Sequence, residues 1–310
     1  MSCPGRSLRT WGRTGAIALA AGLAFATAGQ PHAQTPGQSR PAQTAAQPGP
    51  QTATPAAPAV PPCRPVTHEE VAFTVCEVDL RRQAVRLFWQ RPDGQAYGYL
   101  GSLPRSLPPV AIAAPSAAPS GATGVPSAKP PAPTGGRLQF AMNGGMFHPD
   151  YRPVGLYVED GREITRANTR NGPGNFHLKP NGIFYTSGAT AGVLETGAYL
   201  KSKPVADFAT QSGPMLVING RIHPRFSRDG ESLKLRNGVG VRDASTIVLV
   251  ISEGEVSFGT FARLFRDPLK CPNALFLDGG SAPALYAPAL QRTGNFLPLG
   301  PMIGVFEKIR

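Results

Sequence analysis

From residue 71 onward, short apolar runs alternate with glycine, proline and acidic turn positions at the spacing of strands. The segments 71–80 (VAFTVCEVDL) and 84–90 (AVRLFWQ) lie on either side of a short polar break, which predicts a hairpin. A turn follows at Arg91-Pro92-Asp93-Gly94, where Pro presets one torsion and Gly supplies a positive φ. Further strand-like runs occupy 138–142, 155–158, 182–186, 215–219, 246–252, 274–277 and 302–307. One helix is expected at 257–267 (SFGTFARLFRD), with Phe258, Phe261, Leu264 and Phe265 on one face and Pro268 just beyond its end. Many strands and few helices, without βαβ alternation, predict a single α+β domain with a largely antiparallel sheet core.

Composition limits which residues can join that fold. The segments 34–62 and 104–135 hold half of the 34 prolines, are rich in Ala, Ser, Thr and Gln, and bury too little apolar surface to offset chain entropy. Before the first lies a secretory pattern: Arg6, Arg9 and Arg13, then a run of small apolar residues over 15–29, then small-residue cleavage signals at Ala26-Thr27-Ala28 and His32-Ala33. The expected organisation is a signal peptide at 1–33, a Pro/Ala-rich tether at 34–62, and a domain at 63–310 carrying a low-complexity insertion at 104–135. The signal run is short for a membrane span, so the mature chain is expected to be exported, periplasmic or extracellular, with no stable span after cleavage; an uncleaved membrane anchor is the plain alternative.

The formal charge of +12 falls to +8 once residues 1–62, with four arginines and no acid, are set aside. No run of five basic residues exists, which argues against nucleic acid as a partner. A basic pocket for an anionic substrate and a generally basic surface account for the charge equally well. Cys63 and Cys76 flank the domain entrance and are expected to pair in an oxidising compartment. Cys271 is left over and is expected to be a buried structural thiol.

Phosphate-loop, GxSxG and HExxH signatures are absent. Four small-residue segments beside apolar runs stand out instead. In Asn143-Gly144-Gly145-Met146-Phe147-His148, paired glycines let main-chain N–H groups converge on an anion, although a plain turn also accounts for them. Gln211-Ser212-Gly213-Pro214 offers a hydroxyl and amides, or a turn. Arg236-Asn237-Gly238-Val239-Gly240-Val241-Arg242 reads as a loop whose Arg236 carries a planar fork suited to phosphate, or is simply solvated. Leu277-Asp278-Gly279-Gly280-Ser281 sets an acid at the exit of a buried strand, as a fixed carboxylate or as a turn cap.

In this order the four segments resemble the phosphodiester glycosidase family, in its bacterial exported branch. The stretches FTVCEVD, GNFHLKPNGIFY and FARLFRDPLKCPNAL add to the likeness, which runs from Cys63 to about Val305. There are two departures: the Pro/Ala insertion replaces a compact segment, and Gly280-Ser281-Ala282-Pro283 stands where relatives carry consecutive serines. The resemblance implies hydrolysis of the C1–O bond of a sugar-1-phosphodiester, with an anionic phosphosugar or glycan as substrate.

Arg236 and the amides near Gly144, Gly145, Ser212 and Gly213 would then neutralise the phosphate. Asp278 would be the carboxylate nucleophile or stabiliser of the oxocarbenium-like sugar. Asn143, Asn237, Gly279, Gly280 and Ser281 would complete the substrate contacts. His148 is the first choice for a second acid/base and His223 the next, each with a structural role as its plain alternative, and His177 is expected to be structural. Arg236→Ala is expected to weaken phosphodiester binding without loss of stability. No cofactor is expected and no metal is required, although a divalent ion beside Asp278 stays open. Three other readings also stay open: a non-catalytic periplasmic phosphoglycan-binding protein, a phosphodiesterase that cuts P–O, and a tethered structural envelope protein.

Overall fold

The computed structural model describes residues 62–107 and 136–308, all within a unit spanning 57–310. The expected signal peptide, the tether as far as residue 61 and residues 108–135 of the insertion lie outside the described residues.

Strands β1 (Cys63–His68), β2 (Val71–Asp79) and β3 (Gln83–Phe88) are followed by a two-residue strand β4 (Ser106–Leu107) and by β5 (Gly136–Asn143). Next come β6 (Tyr157–Glu159), β7 (Arg162–Thr165), β8 (Gly182–Ser187), β9 (Thr190–Glu195) and helix α1 (Thr196–Ser202). They lead to β10 (Phe208–Ser212), β11 (Met215–Ile218), β12 (Arg221–Ile222), β13 (Arg236–Asp243) and β14 (Thr246–Ser252). Helix α2 (Phe258–Arg266) and strands β15 (Asn273–Gly279), β16 (Leu285–Ala287), β17 (Arg292–Gly294) and β18 (Met302–Lys308) complete the order.

These strands make three antiparallel sheets. The largest runs β1-β2-β14-β13-β15-β11-β12, a second β7-β6-β10-β8-β9, and a third β17-β16-β5-β18-β3 with β4 paired to β5. With two α-helices among the described residues, the architecture is α+β around a sheet core. One face of the largest sheet (Val78, Leu249, Leu275) packs with Phe184 and Phe208 of the second sheet and Phe140 and Ile303 of the third. Its other face (Phe73, Val75, Val248, Val250, Phe276) is covered by Phe261, Leu264 and Phe265 of α2. Burying each of these large side chains is worth roughly 1.5–3 kcal/mol. Strand β14 is apolar almost throughout because its alternate residues enter these two different cores.

Helix α2 takes the expected place, with the Ser257 hydroxyl accepting from the Thr260 amide as its cap. Three expectations change. Segments 71–80 and 84–90 form strands but not a hairpin: β2 pairs with β1 and β14, whereas β3 leaves for the third sheet and pairs with β18. The turn at Leu80–Arg82 directs this departure, because the Leu80 and Arg82 carbonyls accept from the Lys308 side chain and amide. The segment 236–242 is not a loop but the central strand β13. Its glycines serve close packing, since a Cβ on Gly240 would lie 2.8 Å from Cys271 Sγ and from the Phe265 ring. The first residues assigned to the insertion also belong to the fold, because Ser106 and Leu107 pair with Arg137 and Gly136.

Cys63 and Cys76 face each other across β1 and β2 and are joined by a disulfide. Cys271 is a free, buried thiol whose pKa burial pushes up to about 12, so it is unsuited to act as a nucleophile.

Candidate functional site

Three of the four small-residue segments are locked together by two asparagines. Asn143, at the end of β5, donates from Nδ2 to Asn237 Oδ1 at 3.1 Å. Asn237, near the start of β13, donates from its own Nδ2 to the Asn143 carbonyl at 3.0 Å. Asn237 Oδ1 also accepts from the Asp278 amide at 3.0 Å, and Asn143 Oδ1 accepts from the Ala284 amide at 3.0 Å. Both side chains are fully buried, so they hold the site together instead of facing a substrate as expected.

The fourth segment joins from the second sheet. Thr210 Oγ1 donates to the Gly144 carbonyl at 3.0 Å, and Ser212 Oγ donates to the Leu277 carbonyl at 2.7 Å, one residue before Asp278. Gly145 has to be glycine here: its φ is +154° and a Cβ would lie 2.9 Å from Thr210 Oγ1. Ser212 is buried and its hydroxyl is already used, so it too is a brace. Thr210 lies just outside the small-residue segments, on strand β10, which has no alternating pattern of its own in the sequence.

Gln211 organises the loop that covers this segment. Its Oε1 accepts from the Leu156 and Asn168 amides, and its Nε2 donates to the Asn168 carbonyl and to Thr196 Oγ1. The loop crosses so closely that a Cβ on Gly213, which precedes a cis Pro214, would lie 2.7 Å from the Phe176 carbonyl.

Asp278 therefore sits where all three sheets contribute. Its Oδ1 accepts from the Gly279 amide at 2.8 Å. Burial pushes its pKa up to about 7, and that single main-chain bond offsets the effect only in part. Gly279 is half-buried, while Gly280 and Ser281 are exposed beyond it. Among the described residues no group of three or more His, Cys, Asp or Glu side chains is placed to hold a metal ion.

Arg236 departs most from its expected role. It is only 1% exposed, and its Nε and one terminal nitrogen donate to the Val256 and Ser232 carbonyls, both at 2.8 Å. The guanidinium lies 3.6 Å from the centre of the Phe258 ring. Desolvation lowers its pKa to about 10, so it stays charged at neutral pH. The fork that would grip a phosphate bidentately is thus largely spent on main chain and aromatic rings. Phe258 stacks in turn on Phe226 (4.9 Å), and Phe226 on His223 (4.6 Å).

The histidines divide. His223 is buried, its Nδ1 accepts from the Arg225 amide at 3.2 Å, and burial lowers its pKa, so it is a neutral structural ring at the far end of that stack. His177 is structural, with Nδ1 bound to the Arg170 carbonyl at 3.1 Å. His148 is half-buried in a turn closed by main-chain bonds with Arg152 and Tyr151. No hydrogen bond joins its ring to Asp278 or Arg236 among the described residues.

The chain matches the family model for phosphodiester glycosidases over residues 136–306. It is 33% identical over 202 residues to the uncharacterised protein YigE of Escherichia coli strain K12, across 65% of this chain and 69% of that protein. Among solved structures it is similar to the catalytic domain of zebrafish N-acetylglucosamine-1-phosphodiester alpha-N-acetylglucosaminidase, auto-inhibited by its pro-peptide. That similarity has 15% identity, covers 79% of this chain and 82% of that one, and gives a TM-score of 0.49. A hypothetical protein from Synechocystis is similar at 15% identity, 79% and 61% coverage and a TM-score of 0.45. The family match takes in the Asn143, Asn237 and Asp278 segments that the fold ties into one site, and this chain belongs to the phosphodiester glycosidase family.

Proposed function

We propose that this chain is an exported hydrolase that cleaves the C1–O bond of a sugar-1-phosphodiester, with Asp278 as its catalytic carboxyl group. The observation that carries this reading is Asp278 itself: an acid at the end of a buried strand, fixed by the Asn143–Asn237 pair, with a pKa pushed up to about 7. A carboxyl balanced near neutral pH suits proton transfer better than permanent charge stabilisation. An anionic phosphodiester close by would raise its pKa further, favouring the protonated form in the complex. Asp278 then donates to the leaving phosphate oxygen as the C1–O bond breaks, and in its ionised form it draws a proton from the attacking water.

The phosphate is oriented by the Gly145 amide, because the Gly144, Gly279 and Gly280 amides already donate to the Pro301 carbonyl, Asp278 Oδ1 and the Leu235 carbonyl. Arg236 serves as a buried fixed charge that shapes the neighbouring main chain rather than as a clamp. A location outside reducing compartments is supported by the Cys63–Cys76 disulfide. No helix of the described residues is long and apolar enough to cross a membrane.

The test is release of free sugar from methyl N-acetylglucosamine 1-phosphate diester in ¹⁸O-water, wild type against Asp278→Asn. Label in the C1 hydroxyl, with about 10²–10⁴-fold slower release by a folded variant, is the expected result. Label in the phosphate would mean P–O cleavage, and equal rates would remove Asp278 from the chemistry.

A further inference from the structure

Two loops bound the Asp278 end of the largest sheet. The first, residues 166–181, packs on Gln211–Gly213 through the Gln211 side chain and the Phe176 carbonyl. It carries Arg166, Arg170 and Lys179 and no acid. The second, residues 223–235, joins β12 to β13. Because β15 and β11 lie between those two strands, it crosses the sheet end at which β15 delivers Asp278. Its last residue contacts the site directly, with the Leu235 carbonyl accepting from the Gly280 amide at 3.0 Å. This loop carries Arg225, Arg228 and Lys234 against Asp229 and Glu231. The loops meet where the buried His223 ring faces the Lys179 carbonyl.

All six cations are exposed, and none is in an ion pair among the described residues. Several acids elsewhere in the fold are paired with arginines, as in Glu69–Arg263, Glu77–Arg242 and Glu253–Arg292. Six exposed cations without an ion pair therefore share one rim beside the candidate site, against two acids, Asp229 and Glu231; other such cations, among them Arg82, Arg137, Lys203 and Arg221, are scattered over the rest of the surface. A single phosphodiester carries one negative charge and needs no such rim. A chain of them does, because each repeat presents another charge at the surface.

We propose, resting on the glycosidase reading, that the substrate is a polymer: a glycan whose successive sugars are joined through phosphodiesters. It lies along the rim of Arg166, Arg170, Lys179, Arg225, Arg228 and Lys234 while one linkage occupies the Asp278 site. The rim supplies attraction for the polyanion and takes no part in bond breaking.

The experiment compares wild type with the variant R166Q/R170Q/R225Q/R228Q on two substrates: linear poly(N-acetylglucosamine 1-phosphate) and the single-linkage methyl diester. Reducing-sugar release gives kcat and KM, and fluorescence anisotropy of end-labelled polymer gives binding without turnover. The expected result is a KM for the polymer at least about tenfold higher in the variant, with a weaker dependence of binding on salt. On the methyl diester, kcat/KM should stay within about twofold, which also shows that the variant is folded. Equal losses on both substrates, or none on either, would overturn the polymer assignment while leaving the glycosidase reading intact. Binding of the polymer that the variant loses, without sugar release by wild type, would keep the rim and refute the hydrolase. Binding of single-stranded poly(dT) as tight as that of the glycan polymer would overturn the choice of ligand.

Discussion

Asn143 and Asn237 exchange hydrogen bonds across two sheets, each donating from its side-chain nitrogen to an oxygen of the other, at 3.1 and 3.0 Å. Neither is exposed, and Asn237 also holds the Asp278 amide. The pair is a rivet: it fixes the end of β15 against the end of β5 before any substrate arrives.

Removing half of the rivet should cost both stability and activity. Asn237→Ala leaves the Asn143 Nδ2 and the Asp278 amide buried without partners, and each orphaned group costs roughly 1–3 kcal/mol. Urea denaturation of Asn143→Ala, Asn237→Ala and the double variant should give a coupling energy above about 0.5 kcal/mol. Simple additivity would mean that the two residues act separately.

The raised pKa of Asp278 carries a pH signature with a definite sign. A carboxyl whose pKa rises from 3.8 to about 7 on folding binds its proton more tightly in the native state. The stabilisation is complete below pH 3.8 and is lost as the pH climbs through 7, at up to about 1.4 kcal/mol per pH unit. Asp278→Asn should flatten this dependence and melt higher than wild type at pH 8. Parallel melting curves from pH 4 to pH 8 for the two proteins would show that burial does not perturb the carboxyl.

Arg236 should behave as a structural residue. Arg236→Ala empties a buried site, frees the Val256 and Ser232 carbonyls and removes the ring stack on Phe258, for a loss of about 3–5 kcal/mol. In a unit of this size that is a fall in Tm of roughly 6–20 °C by calorimetry. An unchanged Tm with a steeply raised KM would restore the phosphate-clamp role that its sequence context suggests.

Gly240 should tolerate no side chain. Gly240→Ala places a Cβ 2.8 Å from both Cys271 Sγ and the Phe265 ring, an overpacking worth roughly 1–3 kcal/mol. Gly101→Ala is the control: no atom lies within 4 Å of its Cβ position, and the change should stay within about 0.5 kcal/mol. Equal effects at the two positions would mean that α2 shifts freely on the sheet.

Much of this was visible in the chain itself. The run 246–252 became β14 with the same bounds, and the helical face of Phe258, Phe261, Leu264 and Phe265 became α2. The small-residue segments come together in the fold because close main-chain approach demands glycine whichever elements supply it. The sequence misled where one residue type has two uses. Gly238 and Gly240 look like loop residues, yet they make room for a helix on a central strand. Arg236 looks like an anion ligand, yet it is buried against carbonyls. Helix α1 has seven residues and lacks an apolar stripe long enough to register. The pairing of Asn143 with Asn237 depends on two sheets meeting, which no local pattern encodes.

Strand β18 lies between β3 and β5, with Val305 opposite both Val85 and Phe140. During synthesis, therefore, the edges of β3 and β5 that take β18 wait until the chain has grown past residue 302. Such long-range closure places folding in the millisecond-to-second range of non-local β proteins. A nascent chain that stops short of β18 holds Asn143 and Asp278 but has no completed sheet beneath Asn143. Late closure of this kind makes the last strand the one that locks the Asn143 side of the site to the Asp278 side.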